Sequence, residues 1–249
     1  MANQEQATLA LKNPHVIFEG DSFTLWTNQS GQFWNNTYVI VDRESGVLAL
    51  VDPLDDCLEN WSVFLEEQNR PLDSILITHA HIDHVAGVAQ LLNAYPGVKI
   101  YAHADGVPLM KAEDIPMLTG GIETLEQYAN QFSLPMYQPA ESTDSLSEGD
   151  SIHIGKTTFE ILYTPGHCPG HIAFQNRMTL ISGDVIYKGS VGFTHIPGSD
   201  ADVLADTILD KFMVLSDEVV IYPGHGNTTT IGDERATNPF IVEALGESS

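Results

Sequence analysis

The chain has 249 residues and carries 34 Asp and Glu against 10 Lys and Arg, a formal charge of −24. That length buries a sizeable core in one large domain, here residues 1–249, and the acidic balance argues against nucleic acid and anionic membranes, because neutralising phosphates takes clustered cations. Two cysteines, Cys57 and Cys168, are too few for a disulfide framework, the N-terminus lacks a signal-peptide pattern, and no apolar run approaches the roughly 18 residues of a membrane span, so the expected setting is cytoplasmic.

Between Ile17 and Asp52 the segments FTLWT, NNTYVIVD and GVLALVD read as strands separated by turn-prone Asn, Gly and Ser. The nearly all-apolar Val47–Val51 predicts a strand buried on both faces, with Asp52 at its exit. Leu58, Trp61, Phe64 and Leu65 recur at helical spacing over about 56–69, and Arg70-Pro71 ends that helix. Ser74–Thr78 predicts a short strand. A single helix is expected from His84 to Tyr95, with Val85, Val88, Leu91, Leu92 and Tyr95 on one face, Asp83 at its N-cap and Pro96-Gly97 at its end, followed by the strand VKIYAH.

Residues 104–143 are the least regular part. Pro108, Pro116, Gly120, Gly121, Pro135 and Pro139 punctuate two weakly helical pieces, Val107–Lys111 and Glu123–Phe132, and the segment reads as a lid in which Met110, Met117, Phe132, Met136 and Tyr137 mainly pack it down. A second β-rich half follows: SIHIG, TTFEILYT, HIAFQ and MTLISGD, a helix from about Ala201 to Leu215, the strand VVIYPGH, and ERATNPF as one last helix and tail. Two mixed sheets with outer helices in one domain fit this order better than two independent domains.

The stretch Ile75–Gly87, ILITHAHIDHVAG, places His79, His81, Asp83 and His84 within six residues. On an extended segment an HxH pair projects to one side, so His79 and His81 can hold one ion, while Asp83 and His84, at the turn into a helix, can be aimed at a second. Three later segments repeat a polar residue beside glycine at a strand end: TPGHCPGH (Thr164–His171), LISGD (Leu180–Asp184) and YPGHG (Tyr222–Gly226). Glycine there permits tight turns and close backbone approach to an ion.

The ordered set HxHxDH, TPGHxxGH, SGD and PGHG resembles the metallo-β-lactamase-fold hydrolases from about Ile17 to Phe240. The resemblance implies an α/β (α+β) fold, a four-layer αββα sandwich. It implies one metal on His79, His81 and His167, another on Asp83, His84 and His225, and Asp184 bridging them. Imidazole and carboxylate ligands suit two zinc ions and also tolerate iron or manganese, and five histidines with two carboxylates leave open coordination positions, as catalysis requires. Asp52 matches the family's acid that orients a ligand histidine. His171 matches a pocket or outer-shell position, and Cys168 reads as an inert buried thiol.

Metallo-β-lactamases proper carry Cys or Ser where Asp184 stands, which disfavours antibiotic hydrolysis. The stretches Gly183–Asp200 and Pro223–Phe240 resemble compact glyoxalase II-like hydrolases without the separate helical C-terminal domain. The implied reaction is hydrolysis of a thioester of the S-lactoylglutathione type, by attack of a metal-bridging hydroxide on the carbonyl, with Asp83 or Asp184 moving the proton. The family commonly carries a cation after GS-x-G for an anionic thiol cofactor. Here Phe193 stands at that position, His195 follows, and Lys188 is the nearest remaining cation. Specificity is therefore expected in the 104–143 segment and the Phe193 loop, with a small-molecule thioester or ester as partner. The alternatives are a lactonase or esterase of the same fold, and a persulfide dioxygenase with one iron on His79, His167 and Asp184. The oligomeric state is not legible in the sequence.

Overall fold

The computed structural model describes residues 13–31, 33–54, 56–70, 72–106 and 144–247. Seven strands form a first sheet whose spatial order is the chain order: β1 (His15–Glu19), β2 (Phe23–Ser30), β3 (Asn35–Asp42), β4 (Leu48–Val51), β5 (Leu72–Leu76), β6 (Lys99–His103) and β7 (Asp144–Leu146). The first four pair antiparallel and the rest parallel. Parallel neighbours need crossovers, and two of these are helical: α1 (Cys57–Glu67) between β4 and β5, then α2 (Ile82–Val85) and α3 (Val88–Ala94) between β5 and β6.

The second sheet contains β8 (Ser151–Ile154), β9 (Thr157–Tyr163), β10 (Ile172–Asn176), β11 (Thr179–Gly183), β14 (Val220–Pro223) and β15 (Thr229–Thr230), in the order β15-β14-β11-β10-β9-β8. A small hairpin, β12 (Ile186–Tyr187) with β13 (Ser190–Val191), stands beside it. On its outer face lie α4 (Ala201–Thr207), which runs into a wider π-type turn at Ile208–Phe212, then α5 (Ile231–Thr237) and α6 (Pro239–Glu247).

Side-chain alternation builds the layers. In β4, Leu48 and Leu50 join the cluster with Trp61, Phe64 and Leu91 of the first helices, while Ala49 and Val51 face Phe159, Ile172 and Phe174 of the second sheet. In the second sheet, Ala173 and Leu180 turn outward to Leu204, Ile208, Phe212 and Ile241. Central strands sandwiched on both faces must be apolar at every position, hence the continuous LALV of β4. The result is the expected αββα sandwich of two mixed sheets.

Three local expectations are corrected. The helix expected over 84–95 is two: Gly87 N donates to Pro53 O (3.0 Å) instead of continuing the helical ladder, and the carbonyl of Asp83, which would have accepted it, is taken by the side chain of Asn35 (2.9 Å). The N-cap of α2 is His81, with extended φ and ψ, so Asp83 lies in the first turn. ERATNPF spans the end of one helix and the start of another, because Asn238, held extended before Pro239 (ψ 116°), closes α5 and Pro239 opens α6. The helical pieces Val107–Lys111 and Glu123–Phe132, with Met110, Met117, Phe132, Met136 and Tyr137, lie outside the described residues. No helix among the described residues is long and apolar enough to cross a membrane.

The two sheets are joined where their strands end. Ile172 N donates to Thr78 O (2.8 Å), Asn36 N to Gly224 O (2.7 Å), and the Tyr38 hydroxyl to Pro223 O (2.6 Å). The break at Gly87 is as constrained: a β-carbon there would stand 1.9 Å from Leu54 O, a backbone atom. Gly87→Ala is expected to cost about 1–3 kcal/mol in denaturant unfolding, whereas Gly246→Ala on α6, with nothing within 4 Å of its added methyl, is expected to leave the midpoint within about 0.5 kcal/mol of the parent's.

Candidate metal centre

Five chain segments deliver polar side chains to one place. Asp52 leaves β4, His79 to His84 follow β5, His167 and His171 lie in the loop from β9 to β10, Asp184 follows β11, and His225 follows β14. The ligand-capable atoms of His79, His81 and His167 lie within 4.8 Å of one another, and so do those of Asp83, His84 and His225. Asp184 Oδ2 stands between the groups, 3.4 Å from His225 Nε2, 3.6 Å from both His84 Nε2 and His167 Nε2, and 3.9 Å from His79 Nε2.

Outer partners fix which nitrogen each ring presents. His84 Nδ1 donates to Asp52 Oδ2 (2.9 Å), His79 Nδ1 faces the Thr78 hydroxyl (3.0 Å), His167 Nδ1 donates to Phe193 O (2.8 Å) and His225 Nδ1 to Phe33 O (3.1 Å). These four rings therefore turn Nε2 inward, whereas His81 meets His167 Nε2 through its own Nδ1 at 2.9 Å. Asp52 also accepts from Thr78 N (2.8 Å) and Thr78 Oγ1 (2.6 Å), and holds a left-handed backbone, φ 53°, that non-glycine residues rarely adopt. His171 is an outer residue: its Nε2 accepts from Asp184 N (3.0 Å), its Nδ1 pairs with Thr164 Oγ1 (2.7 Å), and its ring stacks on His79.

The donor set fits divalent cations. His79 Nε2, Asp83 Oδ1 and Asp184 Oδ1 are buried with no hydrogen-bond partner, a costly condition for polar atoms unless an ion takes up their lone pairs. Burial holds the imidazoles of His79 and His167 below the ordinary range, and brings His81 down to about 3, so all three favour the neutral form, in which one ring nitrogen keeps a lone pair for an ion. Burial works against ionisation of Asp83 and Asp184 as well, but the neighbouring His84 and His225 outweigh it and keep both carboxyls well below the usual carboxylate range. Conversely, burial is outweighed by Asp184 and Asp83 at His225, which is raised to about 10. The carboxylates thus draw positive charge into the centre. Gly224 makes room for it, since a β-carbon there would meet Asp184 Oδ1 at 2.1 Å.

A pocket of about 510 Å3 opens over these atoms, with Phe33, Tyr187, Phe193, His195 and Ile196 among its walls and no Lys or Arg among its described lining. Phe193 and His195 are thus at the pocket, as expected from sequence. Lys188 is not: it is exposed in the turn between β12 and β13, and the two-residue strands of that hairpin place Tyr187, not Lys188, at the site. His103 stacks on Tyr163 outside the pocket. Cys168 is buried and burial pushes its thiol up, consistent with an inert group.

The family model of the metallo-β-lactamase superfamily matches residues 31–225. The chain belongs to that superfamily. Among relatives of this superfamily member, hydroxyacylglutathione hydrolase GloC of Haemophilus influenzae is 33% identical over 214 residues, covering 84% of this chain and 93% of that protein. Among solved structures it is similar to the BLEG-1 B3 metallo-β-lactamase (TM-score 0.74, 27% identity, 87% of this chain and 99% of that one) and to TTHA1623 in a di-iron-bound form (TM-score 0.71, 32% identity, 86% and 98%).

Sequence reasoning about this metallo-β-lactamase-fold chain missed two residues. Tyr187 follows Asp184 by three, lines the same pocket, and packs edge-on against His225. Asn35 places Nδ2 3.0 Å from Asp83 Oδ2, 3.2 Å from His84 Nε2 and 3.4 Å from His225 Nε2. Its signal is the polar start of the apolar segment NNTYVIVD, which the sequence shows only as a strand. Asn35→Ala is expected to lower affinity for one of two bound zinc ions about 10- to 100-fold while the other stays tight, measured by chelator competition; unchanged affinity for both would show that the amide does not order that group.

Proposed function

We propose that this protein is a dinuclear metal-dependent hydrolase of thioesters, with His79, His81 and His167 holding one ion, Asp83, His84 and His225 the other, and Asp184 shared between them. The observation that carries the reading is the meeting of seven ligand-capable side chains, drawn from distant parts of the chain, four of which, Asp83, His167, Asp184 and His225, line one pocket. The assembled second group supports a dinuclear hydrolase over a mononuclear iron dioxygenase. The likeness to GloC over most of both chains supports a thioester substrate. Zinc suits the nitrogen and oxygen donors, and the di-iron form of TTHA1623 makes iron the second candidate.

Two bound divalent ions supply carbonyl polarisation and acidification of water. The protein's own groups do the rest. Asp83 and Asp184, kept ionised, are placed to accept the proton that the attacking water loses. Asn35 holds Asp83 in place from the far side. Tyr187, whose phenol is raised by burial and then by Asp184, stays protonated and can donate to the oxygen on which charge develops. The C–S bond breaks to leave a thiolate, whose conjugate acid titrates near 8.5, so departure needs no dedicated acid from the protein.

Two substitutions test this reading. Asp184→Ala is expected to lower kcat by at least about 10^3-fold and to reduce metal content per chain, measured together on protein purified without added metal; full turnover at full metal content would remove Asp184 from both roles. Phe193→Arg is expected to lower KM for S-lactoylglutathione about 10-fold with little change for uncharged thioesters, in a steady-state panel that also includes a lactone and, given the likeness to BLEG-1, a β-lactam. Preference for either of the last two would replace the thioester assignment.

A further inference from the structure

Behind the wall that Phe193 and His195 give the metal pocket lies a second cavity of about 350 Å3, within the range of small-molecule sites. Val191, Leu204, Ile208, Phe240 and Ile241 line it together with Phe193, and no Lys, Arg, Asp or Glu is among its described lining. The two cavities share Phe193 and His195. Phe193 is 62% exposed and Phe240 54% exposed, a large apolar surface to leave to water in a chain of charge −24.

We propose that this cavity seats the acyl group of the substrate, and that the group is an uncharged, apolar chain. The inference rests on the hydrolase reading above and narrows its substrate. A carbonyl placed over Asp184 has two substituents to accommodate. The sulfur side acquires negative charge as the C–S bond breaks, and an apolar, cation-free cavity would penalise that charge. The acyl side beyond its carbonyl acquires none, so the apolar cavity matches it. The absence of Lys and Arg from the described lining of both cavities, and the aromatic ring at Phe193, fit the same chemistry. The wall between the cavities is also fixed in position, because Phe193 O accepts from His167 Nδ1 (2.8 Å) and Gly192 N donates to Val185 O (3.1 Å). A chain passing Phe193 would therefore meet a set path rather than a free loop.

The test uses the zinc-loaded full chain. Calorimetric binding of N-methyl alkanamides, from acetamide to octanamide, is measured beside kcat/KM for N-acetylcysteamine thioesters of the same acyl lengths. The amides are uncharged and are not expected to turn over. Affinity should rise with each methylene, by up to about 4-fold where burial is complete, and kcat/KM should follow. Ala205→Trp, which fills the cavity from the half-buried face of α4, should cut octanamide affinity to near that of acetamide, with zinc content and thermal unfolding showing that the variant is folded. Leu209→Gln keeps the wall's volume and makes it polar, and should flatten the series in the same direction. A flat series in the parent, or variant series parallel to the parent's, overturns the inference. Length-dependent amide binding without hydrolysis of any thioester leaves the cavity assignment standing and overturns the thioesterase reading instead.

Discussion

A carboxylate buried among imidazoles governs this molecule. Asp184 is 4% exposed, yet lies within 4 Å of four histidine rings that come from three separate parts of the chain. A charge so placed is tolerable only when every neighbour is oriented to compensate it. His171 receives its backbone N–H, Gly224 leaves space for its Oδ1, and outer partners turn the Nε2 atoms of His79, His84, His167 and His225 toward the centre. The fold can be understood as the scaffold that brings these compensating groups to one point.

The two sheets achieve this by ending together. Each contributes strands buried on both faces, so their central segments are largely apolar, and the ligand-capable side chains stand at the exits of β4, β5, β11 and β14. Hydrogen bonds between the exits, from Tyr38, Asn36 and Ile172 across to the other sheet, register the two halves at the place where the chemistry needs them. Asp52 shows the backbone constraint directly. Its left-handed φ lets one carboxylate receive both a Thr78 amide and the His84 ring, joining β4 to the segment that follows β5.

Much of this was legible in the residues. The dense HxHxDH stretch and the glycine-flanked strand exits announce a metal centre, and the apolar runs announce buried strands, since both signals are local and chemically unusual. What escaped was non-local. Gly87 breaks the predicted helix because it must approach Leu54, which no window of 13 residues reveals. Asn35 belongs to the centre only because β3 begins opposite His225. Tyr187 and Lys188 are adjacent in sequence and were separable only by the pleat of a two-residue strand, whose alternation is too short to read. The helix boundary at Asn238 was readable in principle from the following proline.

The hydrogen bond from His167 to the carbonyl of Phe193 has an evolutionary consequence. Because a backbone atom of the pocket wall orients a residue of the metal centre, inserting or deleting residues in that wall would disturb the inorganic chemistry along with recognition. Side-chain identity at position 193 is free of that coupling, as the carbonyl remains whatever residue bears it. Exchanging the aromatic at position 193 for a cation would therefore change the chemistry of the pocket wall while the carbonyl that meets His167 and the length of the loop stay as they are.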